Sequence, residues 1–225
     1  MTTPDNPYIF KAGDHHGDRR NLQGYWTGYP EAPWPKAARV AVSIVVNVEE
    51  GAERSIGDGD SENEGVYEAV EQVMGHVDPC MESHFGYGPR AGYKRIVDLF
   101  DQYQVPATFS TCGRAAQRMP WLMKDVVARG HEVGCHGWIW QTHSSLGIDE
   151  EKAIIDKTYD VLTAITGVAP VGWHTRSASS ANTRQLLLEH GGFLYDSDAY
   201  DDDAPRIELH GDRHHVVVPL SLIHI

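Results

Sequence analysis

Short apolar runs alternate along this chain with longer amphipathic stretches, and that alternation constrains the fold more than any other feature. "RVAVSIVVN" (Arg39–Asn47) is β-branched and almost unbroken, the pattern of a strand buried on both faces. From Gly92 to Tyr103, Ile96, Val97, Leu99 and Phe100 follow a helical period. "ATFST" (Ala107–Thr111) predicts a strand, "WLMKDVVARG" a helix stopped at Gly130, and "HEVGCH" (His131–His136) another strand. "IDEEKAIIDKTYDVLTAITG" gives the clearest helix, with Asp149 as its N-cap, acids in its first turn and Gly167 after its end. "PVGWH" then predicts a strand, "NTRQLLLEHGG" a helix capped by Asn182, and "FLYDSD" a strand. Strands alternating with helices imply βα units on a parallel sheet, open or closed, and hence an α/β fold.

Parallel α/β folds place their chemistry beyond the C-terminal strand ends. Polar residues crowd at those ends here: "NVEEG", "STCGR", "CHGW", "WHTRS" and "YDSDAYDDD". Separated segments therefore converge on one rim.

Composition removes several partner classes. A formal charge of -13 argues against nucleic acid or an anionic membrane surface, since both require a basic face. No stretch has the apolar length to cross a bilayer. "MTTPDNPYIF" lacks a basic segment followed by an apolar one, and Cys80, Cys112 and Cys135 are odd in number and widely spaced. Reduced thiols in the cytoplasm are the expectation. Residues 1–37 are expected as an irregular arm, 38–220 as the catalytic domain, and 221–225 ("LIHI" at the end) as a non-native tail on a chain that naturally continues.

Two motif look-alikes fail on geometry. A zinc-protease helix needs histidines four apart, whereas His131 and His136 are five apart on a strand and so face opposite ways. "DSENEGVYEAVE" (Asp60–Glu71) imitates a calcium loop, but Glu62 and Glu64 stand where that loop wants shorter acids. It reads as a solvated acidic loop. The pairs His15–His16 and His214–His215 read as loop residues, although His214 or His215 is within reach of the rim.

Glu49 and Glu50 are adjacent acids at the mouth of a strand. Like charges at a restricted rim repel, which raises one pKa and prepares an acid or base. With "ESHFGYGPRAG", "GHEVGCHGW-W", "GW-T" and "EHGGFLYDSDAYDDD", this order of motifs resembles the polysaccharide deacetylase family, also called the NodB-homology domain or carbohydrate esterase family four. The resemblance covers roughly residues 30–220. It implies a distorted (β/α) barrel, incomplete at the C-terminus, that hydrolyses amide C–N bonds.

On that resemblance Glu49 corresponds to the catalytic base and Glu50 to a metal carboxylate. His136 matches the first of two metal histidines, while the second falls on Trp140. His174 and Arg176 lie about where a base-orienting arginine is expected. Glu50 and His136 alone are a poor zinc site, which normally has three protein ligands; His143 lies seven residues past His136 and would need a chain reversal to replace the third. The chain is most similar to a branch of allantoinases on this fold that open the hydantoin ring without a metal. The resemblance thus implies catalysis by Glu49, Glu50 and His136 with no cofactor required, and substrate contacts from Arg90, Trp138 or Trp140, His174 and Arg176. A small-molecule substrate, either a ureide or an acetylated sugar, is implied. A zinc-dependent sugar or peptidoglycan N-deacetylase and an inactive ligand-binding homologue stand as alternatives, and a homo-oligomer stays open.

Overall fold

A computed structural model describes residues 9–11, 22, 34–65 and 71–220. Most of the expected arm and the whole 221–225 tail lie outside the described residues.

The strands are β1 (Ile9–Lys11), β2 (Val45–Val48), β3 (Thr108–Thr111), β4 (Glu132–Cys135), β5 (Gly172–Trp173), β6 (Tyr195–Asp196), β7 (Arg206–His210) and β8 (Arg213–Val217). They form one sheet in the order β1-β7-β8-β6-β5-β4-β3-β2. Every pairing is parallel except the β7–β8 hairpin. The helices are α1 (Pro79–Phe85), α2 (Tyr93–Tyr103), α3 (Gly113–Arg118), α4 (Pro120–Ala128), α5 (Ile148–Thr166) and α6 (Thr183–His190). Phe109, Val126, Ile155, Leu162, Trp173 and Leu187 form the core between sheet and helices.

Several expected boundaries shift. Only Val45–Val48 of the Arg39–Asn47 run joins the sheet, and Val40 and Val42 are 71% and 78% exposed. The reason is position: β2 is an edge, paired with β3 alone among the described residues. Helix α5 begins one residue before Asp149, with Gly147 at its cap and Asp149 inside the first turn. Asn182 occupies the cap position of α6 but makes no side-chain cap bond. Among the described residues the sheet is open, and a cavity of about 460 Å³ is lined by Val42, Val45, Thr108, Glu132, Tyr195 and Leu220 among others.

Register aligns the strand ends. Val48 pairs with Thr111, Thr111 with Cys135, Cys135 with Trp173, Trp173 with Asp196, and Asp196 with Val217. Consequently Glu49, Cys112, His136, His174, Ser197 and Val218, each one step further on, share the C-terminal rim that parallel folds use for chemistry.

Candidate active site

His136 is the centre of the rim. Its ring is buried, and Nδ1 lies 2.6 Å from the His174 carbonyl oxygen. A carbonyl only accepts, so Nδ1 carries a hydrogen and donates. Nε2 lies 3.1 Å from Glu49 Oε1. For that contact to be a hydrogen bond, one proton must sit between the imidazole and the carboxylate. The Glu49 side chain is 18% exposed and that of His136 only 1%, so water can reach the carboxylate but not the ring beneath it.

The His174 ring stacks on His136, with centroids 4.7 Å apart and planes 25° off parallel. Burial, with the His136 charge adding, pushes the His174 pKa down to about 3. Neither His174 ring nitrogen has a hydrogen-bond partner among the described residues. It is a neutral platform rather than a proton carrier at neutral pH.

Glu50 is turned differently from Glu49. Burial raises its pKa, helped by the charges of Glu49 and Glu53 and opposed by backbone hydrogen bonds. Its carboxylate accepts the Glu49 N–H at 3.3 Å. A Cβ on Gly88 would lie 2.0 Å from Glu50 Oε1, so glycine is what lets the Gly88–Gly92 turn close over this acid. Glu50 also lines a cavity of about 430 Å³ with Glu53, Asp58, Glu82, Phe85 and Arg118.

Trp140 is held by its N–H to the Ala52 carbonyl at 2.9 Å, with the Phe85 ring 6.1 Å away edge-on. The Arg176 guanidinium lies 3.5 Å over its indole, donates to the Trp140 carbonyl at 2.6 Å, and pairs with Glu64 at 3.1 Å. Such stacking suits a delocalised, weakly hydrated cation.

The other expected residues fall elsewhere. Trp138 does not join this group: it packs where a Gly113 side chain would be, with the Lys157 ammonium 3.3 Å over its ring. Arg90 is exposed on the turn beyond Gly88. His131 sits at the opposite end of β4 from the rim, against Phe100 and Phe109. His215 is buried on Asp196, and His214 pairs across the β7–β8 hairpin with Leu209. In the acidic loop, Arg114 holds Asp60, Arg54 holds Glu62, and Arg176 holds Glu64. Residues 66–70 of that segment lie outside the described residues.

A polysaccharide deacetylase family model matches residues 76–193, more than half of the chain. The chain belongs to the polysaccharide deacetylase family. Among solved structures, PuuE allantoinase superposes with a TM-score of 0.83 at 39% identity, over 90% of this chain and 68% of that one. A probable polysaccharide deacetylase from Pseudomonas aeruginosa PAO1 gives 0.84 at 39% identity, over 90% and 69%. A Schizosaccharomyces pombe protein of the polysaccharide deacetylase class is 34% identical over 77% of this chain. The chain spans 57% of that relative's length.

The deacetylase resemblance implies a divalent metal, and the donor set here does not fit one. Among the described residues no group of three His, Cys, Asp or Glu side chains is placed to hold an ion. His136 has Nδ1 on a carbonyl and Nε2 on Glu49, while Glu50 faces Gly88. At the second histidine place an indole lies under a guanidinium. His143, the other candidate ligand, is fully buried and bonded to Glu151.

Asp198 is the site neighbour to which the sequence alone assigned no role. Its carboxylate accepts the Thr175 N–H and hydroxyl, each at 2.6 Å, and Thr175 also receives the Trp173 indole N–H at 2.8 Å. Burial pushes its pKa up to about 6 against those bonds. The only signal in the sequence was its place in "YDSDAYDDD", where neighbouring acids are indistinguishable.

Proposed function

We propose that this polysaccharide deacetylase family chain hydrolyses a ring C–N bond of a cyclic ureide without a metal, as an allantoinase does. One observation carries the reading: Trp140, which the family resemblance aligns with the second metal histidine, has the Arg176 guanidinium 3.5 Å over its ring. The 39% identity to PuuE allantoinase supports it.

In this mechanism Glu49 Oε1 stays on His136 and Oε2 takes a proton from water. The water oxygen attacks the ring carbonyl carbon, and the resulting oxyanion is stabilised by the Arg176 guanidinium. The C–N bond then breaks, and the departing nitrogen receives its proton from the Glu49–His136 pair. Glu50 helps to place the water, and the neutral His174 ring and Trp140 form the walls. A ureide nitrogen leaves more readily than that of a plain acetamide, because its charge is delocalised into the adjoining carbonyl.

The test is hydrolysis of allantoin and of N-acetylglucosamine oligomers after exhaustive chelation, with and without added zinc. Ring opening that persists after chelation is expected. The second reading, a metal-dependent N-deacetylase, has the family match in its favour. Sugar deacetylation that appears only with zinc, and no ureide opening in either condition, would establish it and overturn the first.

A further inference from the structure

Two rim segments carry the site: residues 136–143, with His136 and Trp140, and residues 174–183, with His174 and Arg176. One carboxylate joins both to helix α5. Glu151, in the first turn of α5, has no solvent exposure, yet it shares the buried face of that helix with Ile155, Thr158 and Leu162. A leucine there would satisfy the packing. A buried carboxylate is tolerated only where donors replace its water, and Glu151 has three. Its Oε1 lies 3.1 Å from His143 Nδ1 and 2.5 Å from the Thr183 hydroxyl; its Oε2 lies 2.5 Å from the Ser180 hydroxyl. The first donor closes the segment after β4, and the other two close the segment after β5.

His143 passes this constraint toward the site. It too is fully buried, set edge-on to Trp173 at 5.7 Å, and its N–H donates to the Ala178 carbonyl at 2.9 Å. With Nδ1–H given to Glu151, Nε2 is a bare nitrogen, and it has no partner among the described residues. That nitrogen lies 3.2 Å from where a Cβ would stand on Gly137. Gly137 has φ +78, a conformation that favours glycine, and it directly follows His136. The imidazole therefore fills the space against the backbone that aims His136 at Glu49.

We infer that Glu151 and His143 are positioning residues, a buried carboxylate–imidazole pair that fixes the two rim segments and so holds His136 in line with Glu49. Its effect on turnover rests on the reading of Glu49 as base; the geometric claim does not. Small errors in placement cost large factors in rate, so a pair outside the reacting atoms still controls them.

The test uses the whole chain with ¹⁵N-histidine labelling. Native protein should show His143 as the Nδ1–H tautomer. Glu151→Ala should move both the His143 and His136 ring resonances and lower kcat on the ureide at least tenfold, with KM within about twofold. Glu151→Gln, which keeps an acceptor for Nδ1–H, should recover most of both signals. Ile155→Val, on the same buried face, should lower Tm while leaving the His136 resonances and kcat unchanged. If Glu151→Ala fails to fold, Thr183→Ala gives the same readout from the other segment. His136 resonances that stay at their native positions in Glu151→Ala or Thr183→Ala would overturn the inference even if no substrate is ever turned over. Shifted resonances without any ureide hydrolysis would uphold it and reject the proposed reaction instead.

Discussion

Glu49 and Glu50 are chemically identical neighbours, and their surroundings separate them. Glu49 meets His136 at 3.1 Å and keeps some access to water, whereas Glu50 is tucked under Gly88 with a raised pKa. Glu49→Gln should therefore leave Tm within a few degrees and lower kcat by about a hundredfold or more, the usual consequence of losing a placed general base. A loss of less than tenfold would move that role to another group. Gly88→Ala tests the second carboxylate. Its methyl would strike the end of a flexible side chain, so the acid moves rather than the fold. Turnover should drop roughly tenfold with little change in Tm, because placement of catalytic groups is critical at the half-ångström scale. Unchanged kinetics would show that the position of Glu50 does not matter. Both glutamates and His136 were legible as candidates because they follow apolar strands. Trp138 was not separable from Trp140, since a turn decides which indole faces the rim.

At the level of elements, the second half of the sheet is tied together by charge as well as by apolar packing. Asp196 of β6 accepts from Arg184 of α6 at 2.7 Å and from His215 of β8 at 2.8 Å, and Arg184 reaches on to Glu208 of β7 at 3.2 Å. Burial alone would raise the Asp196 pKa, but the His215 and Arg184 bonds overrule it and hold the carboxyl well below the usual range. A depressed folded-state value contributes stability that is present above the ordinary aspartate pKa and lost as pH falls toward the folded value. Tm should thus decline on acidification below about pH 4, and Asp196→Asn should flatten that decline while costing roughly 3 kcal/mol at neutral pH. Thermal melts of both proteins from pH 3 to 7 measure this; parallel curves would remove Asp196 from the account. No local pattern announces this network, because its members come from four elements. Glu151 was more accessible. It falls on the apolar stripe of α5 with Ile155 and Leu162, and a lone acid on such a stripe signals buried pairing.

For the molecule as a whole, the open edge sets its behaviour. Among the described residues, Val45 of β2 and Val40 and Val42 just before it are exposed beside a cavity, and an apolar edge strand is a template for pairing with another chain. Concentration-dependent association is expected in sedimentation velocity, and Val42→Lys should suppress it without lowering Tm. Association unchanged by the lysine would place the contact elsewhere.

Local sequence alone determined the α/β class, the helix over Tyr93–Tyr103 and the crowding of polar groups at strand ends, because side-chain period and breaking glycines act within a few residues. Tertiary structure decided the rest. Which strand lies at the edge, which indole carries the guanidinium, and which of many acids meets His136 are set by contacts between distant segments, 87 positions apart in the last case. Register across a parallel sheet fixes those contacts, and no local pattern encodes it.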